Sequence, residues 1–248
     1  MFRTGAFFAY FFGFLLYSIP HLRQVKGLEE TSVSVEEKDK KINVFPKKWA
    51  NTLIRIAGCN VKVLGEENIP NGPILIVSNH EGNFDIPVLI GSINKPFGFI
   101  SKKEVKKIPI VAKWMDAMNC IFMDRKDRRQ SIQAIRQGIE KLKQGHSLVI
   151  FPEGTRSKGG PIQTFKSGSF RLGIDAKVPI LPVVISGTST IMEKNNGIIV
   201  PGDVTVSILP AWMPSQYEGM DIKDLSKIVE QQIKTEKMTL ATRKTKIG

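Results

Sequence analysis

A histidine and an aspartate five positions apart, His80 and Asp85, stand in the segment Ser78-Asn79-His80-Glu81-Gly82-Asn83-Phe84-Asp85. An aspartate beside an imidazole fixes its tautomer, stabilises the imidazolium and leaves the other ring nitrogen as a general base near neutral pH. Regular backbone would keep the two apart. They lie about 140° apart around a continuous helix and on opposite faces of a continuous strand. They meet only if the chain turns between them, and Gly82 and Asn83 are the residues that permit a turn. Asp85-Ile86-Pro87 then reads as a helix start, with the acid near the cap and Pro in the first turn. The spacing alone also fits an ordinary loop or core histidine, so the setting decides.

A second segment, Phe151-Pro152-Glu153-Gly154-Thr155-Arg156-Ser157, has the composition of an anion site. Gly154 lets backbone amides approach a ligand. Arg156 offers a planar fork, and Thr155 and Ser157 add hydroxyls. Lys158, Lys166 and Arg171 raise the local positive charge, although a solvated turn would use the same residue types. Residues 97–129 hold nine basic and four acidic residues. Lys102 and Arg125 closely follow apolar runs and are the better ligand candidates; most of the other lysines read as solvated or lipid-facing surface. Val178-Pro179-Ile180-Leu181-Pro182-Val183 reads as a core or edge strand, or as the wall of an apolar path.

These segments need elements to hold them. Short apolar runs predict strands over 61–64, 74–78, 97–101, 120–123, 148–151, 180–185 and 204–209. Helical patterns between them cover 86–93, 108–118, 131–144 and 169–176, and Leu225, Ile228, Val229 and Ile233 suggest a last helix. The alternation implies an α/β fold with a mostly parallel central sheet flanked by helices. Sites in such folds form at the carboxyl ends of strands, where both chemical segments lie. The tail from Lys234 carries five basic residues and one acid, and reads as frayed or membrane-facing.

The amino terminus differs. Eight of the 20 aromatic residues fall in the first 17 positions, and no charge occurs from Thr4 to Pro20. A spanning helix needs roughly 20 apolar residues, so this stretch is marginal as a span. Ser-Ile-Pro is a poor cleavage site for a signal peptide. Phe45, Trp49, Leu53, Ile54 and Ile56 among Lys47, Lys48 and Arg55 predict an amphipathic helix. The expectation is a membrane-interacting two-helix segment over 1–58, a helical hairpin that lies in one leaflet or whose first helix spans the bilayer, ahead of an α/β domain over 59–248.

Composition excludes several classes. The 248 residues suffice for one domain with a sizeable core. Two cysteines without a CxxC pair and three histidines argue against a structural zinc or dense metal site. Cys59 and Cys120 read as buried small apolar residues rather than nucleophiles. The net charge of +13 favours an anionic partner. No zinc-finger spacing or RNP-like aromatic run points to nucleic acid.

Taken together, NHEGNFD, CIFMDR, FPEGTRS and VPILPVV occur in the order of the sequence blocks of the 1-acylglycerol-3-phosphate acyltransferase family, the bacterial lysophosphatidic acid acyltransferases, and resemble them from about residue 60 to 210. The resemblance implies transfer of a fatty acyl group from an acyl carrier protein or coenzyme A thioester to the sn-2 hydroxyl of lysophosphatidic acid. It implies no metal or redox cofactor and no acyl-enzyme. By similarity, His80 is the base and Asp85 orients it. Glu153, Gly154, Thr155 and Arg156 match the glycerophosphate-binding block, with Arg125 and Lys102 from the block before it. The implied partners are lysophosphatidic acid, the acidic donor and an anionic phospholipid membrane, and not nucleic acid. The implied place is the cytoplasmic (inner) membrane, with the catalytic domain on the cytoplasmic side. The thioester oxyanion needs oriented donors, for which a backbone N–H near Gly82 is the candidate. In this frame 178–183 becomes a candidate acyl-chain path. Glycerol 3-phosphate or another lysophospholipid is the alternative acceptor. A non-enzymatic basic protein binding lipid or nucleic acid is the alternative of another class.

Overall fold

Seven strands join in one sheet in the computed structural model, which describes residues 2–27 and 32–245. They are β1 (Cys59–Leu64), β2 (Leu75–Ser78), β3 (Gly98–Lys102), β4 (Ile121–Met123), β5 (Leu148–Ile150), β6 (Ile180–Ser186) and β7 (Gly202–Ile208), in the spatial order β1-β7-β6-β2-β5-β3-β4. Every neighbouring pair is parallel except β6 and β7. Each expected strand is present, with small shifts at its ends.

The helices are α1 (Phe2–Tyr17), α2 (Ile19–Gly27), α3 (Val35–Ala57), α4 (Asp85–Ser92), α5 (Pro109–Ala117), α6 (Arg128–Lys143), α7 (Arg171–Ala176), α8 (Pro214–Tyr217) and α9 (Ile222–Thr245). Alternation along the strands divides the core in two. Ile74, Ile76, Val149, Leu181 and Val183 pack with Phe7 of α1, Leu53 of α3 and Val88 of α4. Leu75, Val77, Leu148, Ile180 and Val184 pack with Leu142 of α6, Leu172 of α7 and Val229 of α9. Both faces are covered, so β2 and β5 are buried at every residue and read as apolar runs without alternation.

The amino-terminal hairpin is present, but its free face is not the one composition suggests. Helix α3 begins at Ser34, whose side chain accepts from the Glu37 amide, and ends at the left-handed Gly58. Its apolar side, Ala50, Leu53 and Ala57, lies in the body's core. Phe45 stacks on Trp114, and Trp49 meets Phe11 edge-on. The expected lipid face of α3 is thus covered by protein. Exposed apolar side chains concentrate on α1 instead: Phe2, Phe8, Phe12, Leu16 and Tyr17. Pro20 falls in the first turn of α2, where its missing N–H has no helical partner to lose. The chain bends there by 46° rather than stopping. Among the described residues no single helix is long and apolar enough to cross a membrane; α1 with residues 19–25 meets length and composition only as a bent pair.

The carboxyl end departs from expectation. The described part of the tail is helical through residue 245, and Leu225, Val229, Ile233 and Leu240 bury one stripe of α9. The basic residues that suggested fraying decorate an element fixed by that stripe.

Candidate active site

β2, β5 and β6 run parallel side by side, so the loops after them open on one end of the sheet. After β2, Asn79 replaces a strand residue with its side chain. Its Nδ2 donates to Ile185 O at 2.9 Å, and its Oδ1 accepts from Ile185 N at 2.8 Å. The chain then turns, with Asp85 N donating to Gly82 O at 3.3 Å, and Asp85 opens α4. This turn brings the two residues together: His80 Nδ1 lies 2.6 Å from Asp85 Oδ2. The same oxygen accepts from Glu81 N at 2.7 Å and Gly82 N at 3.0 Å. The Thr188 hydroxyl, just past β6, donates to the other oxygen. A buried carboxylate with this many donors is fixed in place. It accepts a hydrogen bond from Nδ1–H, which leaves Nε2 as the acceptor. Phe151 stacks on the imidazole, centroids 4.1 Å apart.

These bonds also answer the oxyanion question locally. Glu81 N and Gly82 N serve Asp85, and Asn83 N donates to Glu193 Oε1 at 2.7 Å. The amides of Glu81, Gly82 and Asn83 are all engaged within the protein.

The loop after β5 is tied to the first. His80 N donates to Glu153 Oε1 at 2.6 Å, Ser157 N to His80 O at 2.8 Å and Lys158 N to Glu81 O at 3.0 Å. Glu153 is buried, and its second oxygen accepts from Gln163 N at 2.8 Å. Burial pushes this carboxyl above its ordinary value, opposed by those amides and by His80 and Lys237. Both oxygens of Glu153 thus tie the two loops together. Gly154 takes a left-handed φ of 73°, and Arg125, from the end of β4, donates to its carbonyl. Arg156 donates to Asn83 Oδ1 and lies 3.5 Å from Glu193 Oε1. Glu193 Oε2 is buried and without a partner among the described residues.

Of the residues singled out from sequence, His80, Asp85, Glu153, Gly154, Arg125 and Arg156 are linked by these contacts. Thr155 and Lys102 are exposed, and their side chains make no hydrogen bond or ion pair among the described residues. Lys103, beside Lys102, pairs with Asp124. Sequence reasoning missed Asn79, Glu81, Thr188 and Glu193. For Thr188 a signal existed: Gly187-Thr188-Ser189 follows a strand directly.

An apolar cavity of about 230 Å³ lies beside this end, lined among others by Phe14, Trp49, Ile86, Phe99, Trp114 and Cys120. Phe99 stacks on Phe151 at 6.4 Å, which links the cavity wall to the histidine. The 180–183 stretch lies in β6 and is buried in the core; its residues do not line this cavity. A cleft of about 680 Å³ opens on the other side of Phe151 and Gly154, rimmed by Arg125, Lys126, Arg128, Arg136, Lys166 and Arg171. Among the described residues no three His, Cys, Asp or Glu side chains gather as metal ligands.

Comparison with known proteins gives concordant matches. A family model described as Acyltransferase matches residues 60–186. The 1-acyl-sn-glycerol-3-phosphate acyltransferase of Saccharomyces cerevisiae is 36% identical over 156 residues, covering 61% of this chain and 51% of that protein. The chloroplastic enzyme of that name from Arabidopsis thaliana is 35% identical, covering 74% and 52%. The Escherichia coli enzyme is 31% identical, covering 65% and 67%. The matched region is about half the length of the first two relatives. The crystal structure of the 1-acyl-sn-glycerophosphate acyltransferase from Thermotoga maritima superposes with a TM-score of 0.81 at 29% identity, covering 97% of both chains.

Proposed function

The chain belongs to the acyltransferase family, and from that premise we propose that it moves a fatty acyl group from a thioester to the sn-2 hydroxyl of 1-acylglycerol 3-phosphate, giving phosphatidic acid. The observation that carries this reading is an imidazole held through Nδ1 by a buried carboxylate at 2.6 Å, leaving Nε2 to act. His80 Nε2 takes the hydroxyl proton as the substrate oxygen attacks the thioester carbonyl carbon. The tetrahedral intermediate collapses, the C–S bond breaks, and the leaving sulfur takes the proton from the imidazolium. The ring returns to neutral and no acyl-enzyme forms. General acid–base catalysis of this kind contributes roughly 10²–10⁴ in rate.

A phosphomonoester carries close to two negative charges at neutral pH and calls for guanidinium partners. Arg156 exchanges its Asn83 and Glu193 contacts for the acceptor's phosphate, aided by the Thr155 hydroxyl, Arg125 and Lys102. Gly154 gives the loop its turn. The rimmed basic cleft suits an anionic donor, acyl carrier protein or coenzyme A, and the apolar cavity suits its acyl chain. The exposed apolar side of α1 supports contact with a membrane, which in this reading is the cytoplasmic face of an anionic phospholipid bilayer. In this reading residues 1–58 are the membrane-facing segment and 59–248 the catalytic domain, with α3 joining them. The reaction needs no metal or redox cofactor.

Steady-state kinetics test the acceptor site. Arg156→Ala is expected to raise the KM for lysophosphatidic acid at least tenfold, the scale of one lost charged hydrogen bond, and to leave the donor KM unchanged. An unchanged acceptor KM would remove Arg156 from the phosphate site.

A further inference from the structure

Helix α9 carries a charge where its register calls for an apolar residue. Val229 and Ile233 are fully buried, and the next position at this spacing is Lys237. Its ammonium lies 2.7 Å from Glu81 Oε1, with the two side chains 21% and 4% exposed. A lysine facing a core is costly unless its partner needs it. Here the partner is Glu81, the residue next to His80.

Glu81 is one of three carboxylates buried around His80, with Asp85 and Glu153. Its Oε2 accepts from Gly187 N at 3.0 Å and Ser189 N at 3.3 Å, and lies 3.2 Å from the Thr188 hydroxyl. That hydroxyl has one proton and two carboxylates in reach, Glu81 and Asp85. Whichever carboxylate is less compensated competes better for it. Lys237 compensates Glu81, so the proton goes to Asp85, which holds the ring of His80.

We propose that Lys237 is a positioning residue for the catalytic pair: through Glu81 it commits the Thr188 hydroxyl to Asp85 and balances the negative charge around His80. Thr188, Glu193 and Lys237 all lie beyond residue 186, where the family match ends. The inference rests on the reading of His80 as the base. The charged groups around the pair are few. Asp85 and Glu81 come from its own loop, Glu153 and Arg156 from the loop after β5, and Glu193 from the segment after β6. Lys237 comes from α9, where Lys234 is paired with Glu230 and Glu236 accepts from Ser207.

The signs of the variants differ. Lys237→Met leaves an uncompensated carboxylate near His80, favours the imidazolium and moves the acidic limb of the kcat profile to higher pH. Glu81→Gln leaves an uncompensated cation and moves it lower. Each shift is expected to reach about half a pH unit, and kcat of Lys237→Met to fall about tenfold with both KM values kept. The double variant Glu81→Gln/Lys237→Met leaves no unpaired buried charge and is expected to return the limb to the wild-type position. Lys234→Met serves as the control with an unmoved profile.

The experiment is the pH dependence of thiol release by the full chain and these variants, with His80→Ala alongside. Opposite shifts that cancel in the double variant support the proposal. Shifts of one sign, no shift, or no cancellation overturn it. If Lys237→Met does not fold, the double variant and Glu81→Gln still decide: a wild-type limb in Glu81→Gln overturns the proposal. Wild-type turnover by His80→Ala would instead overturn the base assignment, a separate and recognisable failure.

Discussion

Asp85 is fully buried and accepts from the His80 ring, two backbone amides and the Thr188 hydroxyl. The hydroxyl is the one donor among these that a near-isosteric substitution can remove. Thr188→Val leaves a buried carboxylate oxygen without its partner, a loss of about 1–3 kcal/mol where the full cost falls on the ground state. The ring then loses part of its orientation. Turnover is expected to fall about tenfold in steady-state assays with KM values held, and Thr188→Ser to recover most of it. Wild-type kcat in Thr188→Val would show that Asp85 needs no such support. The cysteines do not compete for the chemistry. Burial pushes the Cys59 thiol up to about 11 and the Cys120 thiol up to about 12, so neither offers a thiolate near neutral pH.

Among the elements, α1 and α3 divide two tasks that their similar composition hides. α3 buries Leu53 and Ala50 against the body, a contribution of about 1.5–3 kcal/mol for a side chain such as Leu53. α1 buries Phe7 and Phe14 but leaves Phe12 59% and Leu16 63% exposed. In the proposed membrane-bound reading the lipid-facing role falls to α1. Replacing Phe12 and Leu16 together by Asp removes two large apolar groups from any bilayer contact, which weakens partition roughly a hundredfold. Flotation with vesicles containing anionic phospholipid measures this. Undiminished flotation of the folded double variant would move the contact to another surface. Elements were also where the sequence was most readable: apolar runs marked every strand, and Gly82-Asn83 after β2 foretold the turn that joins His80 to Asp85. Bounds of α9 were not readable from charge, because Ile233 and Leu240 fix it through packing that a run of lysines does not reveal.

At the scale of the whole molecule, topology explains what local reading could not reach. β6 lies beside β2 in space although about a hundred residues separate them in sequence, which sets Thr188 over Asp85. Helix α9 crosses back over the same end and delivers Lys237. Glu153 looked like a ligand-facing acid within FPEGTRS, yet the neighbouring loop's amides claim it. Arg125 and Arg156 were legible as cations after strands, whereas their partners Gly154 and Glu193 depend on how the loops fold over one another. The fold thus gathers an imidazole, its orienting acid and two guanidinium groups at the carboxyl ends of parallel strands, between an apolar cavity and a basic cleft.

The most direct test of that account measures thiol release from acyl-coenzyme A and from acyl carrier protein thioester by purified full-length protein. Lysophosphatidic acid, glycerol 3-phosphate or no acceptor is supplied, to wild type and to His80→Ala. The account predicts release that requires lysophosphatidic acid and falls by roughly 10²–10⁴ in the variant while the fold is kept. Equal release by folded His80→Ala, or no acceptor-dependent release from wild type, would contradict it.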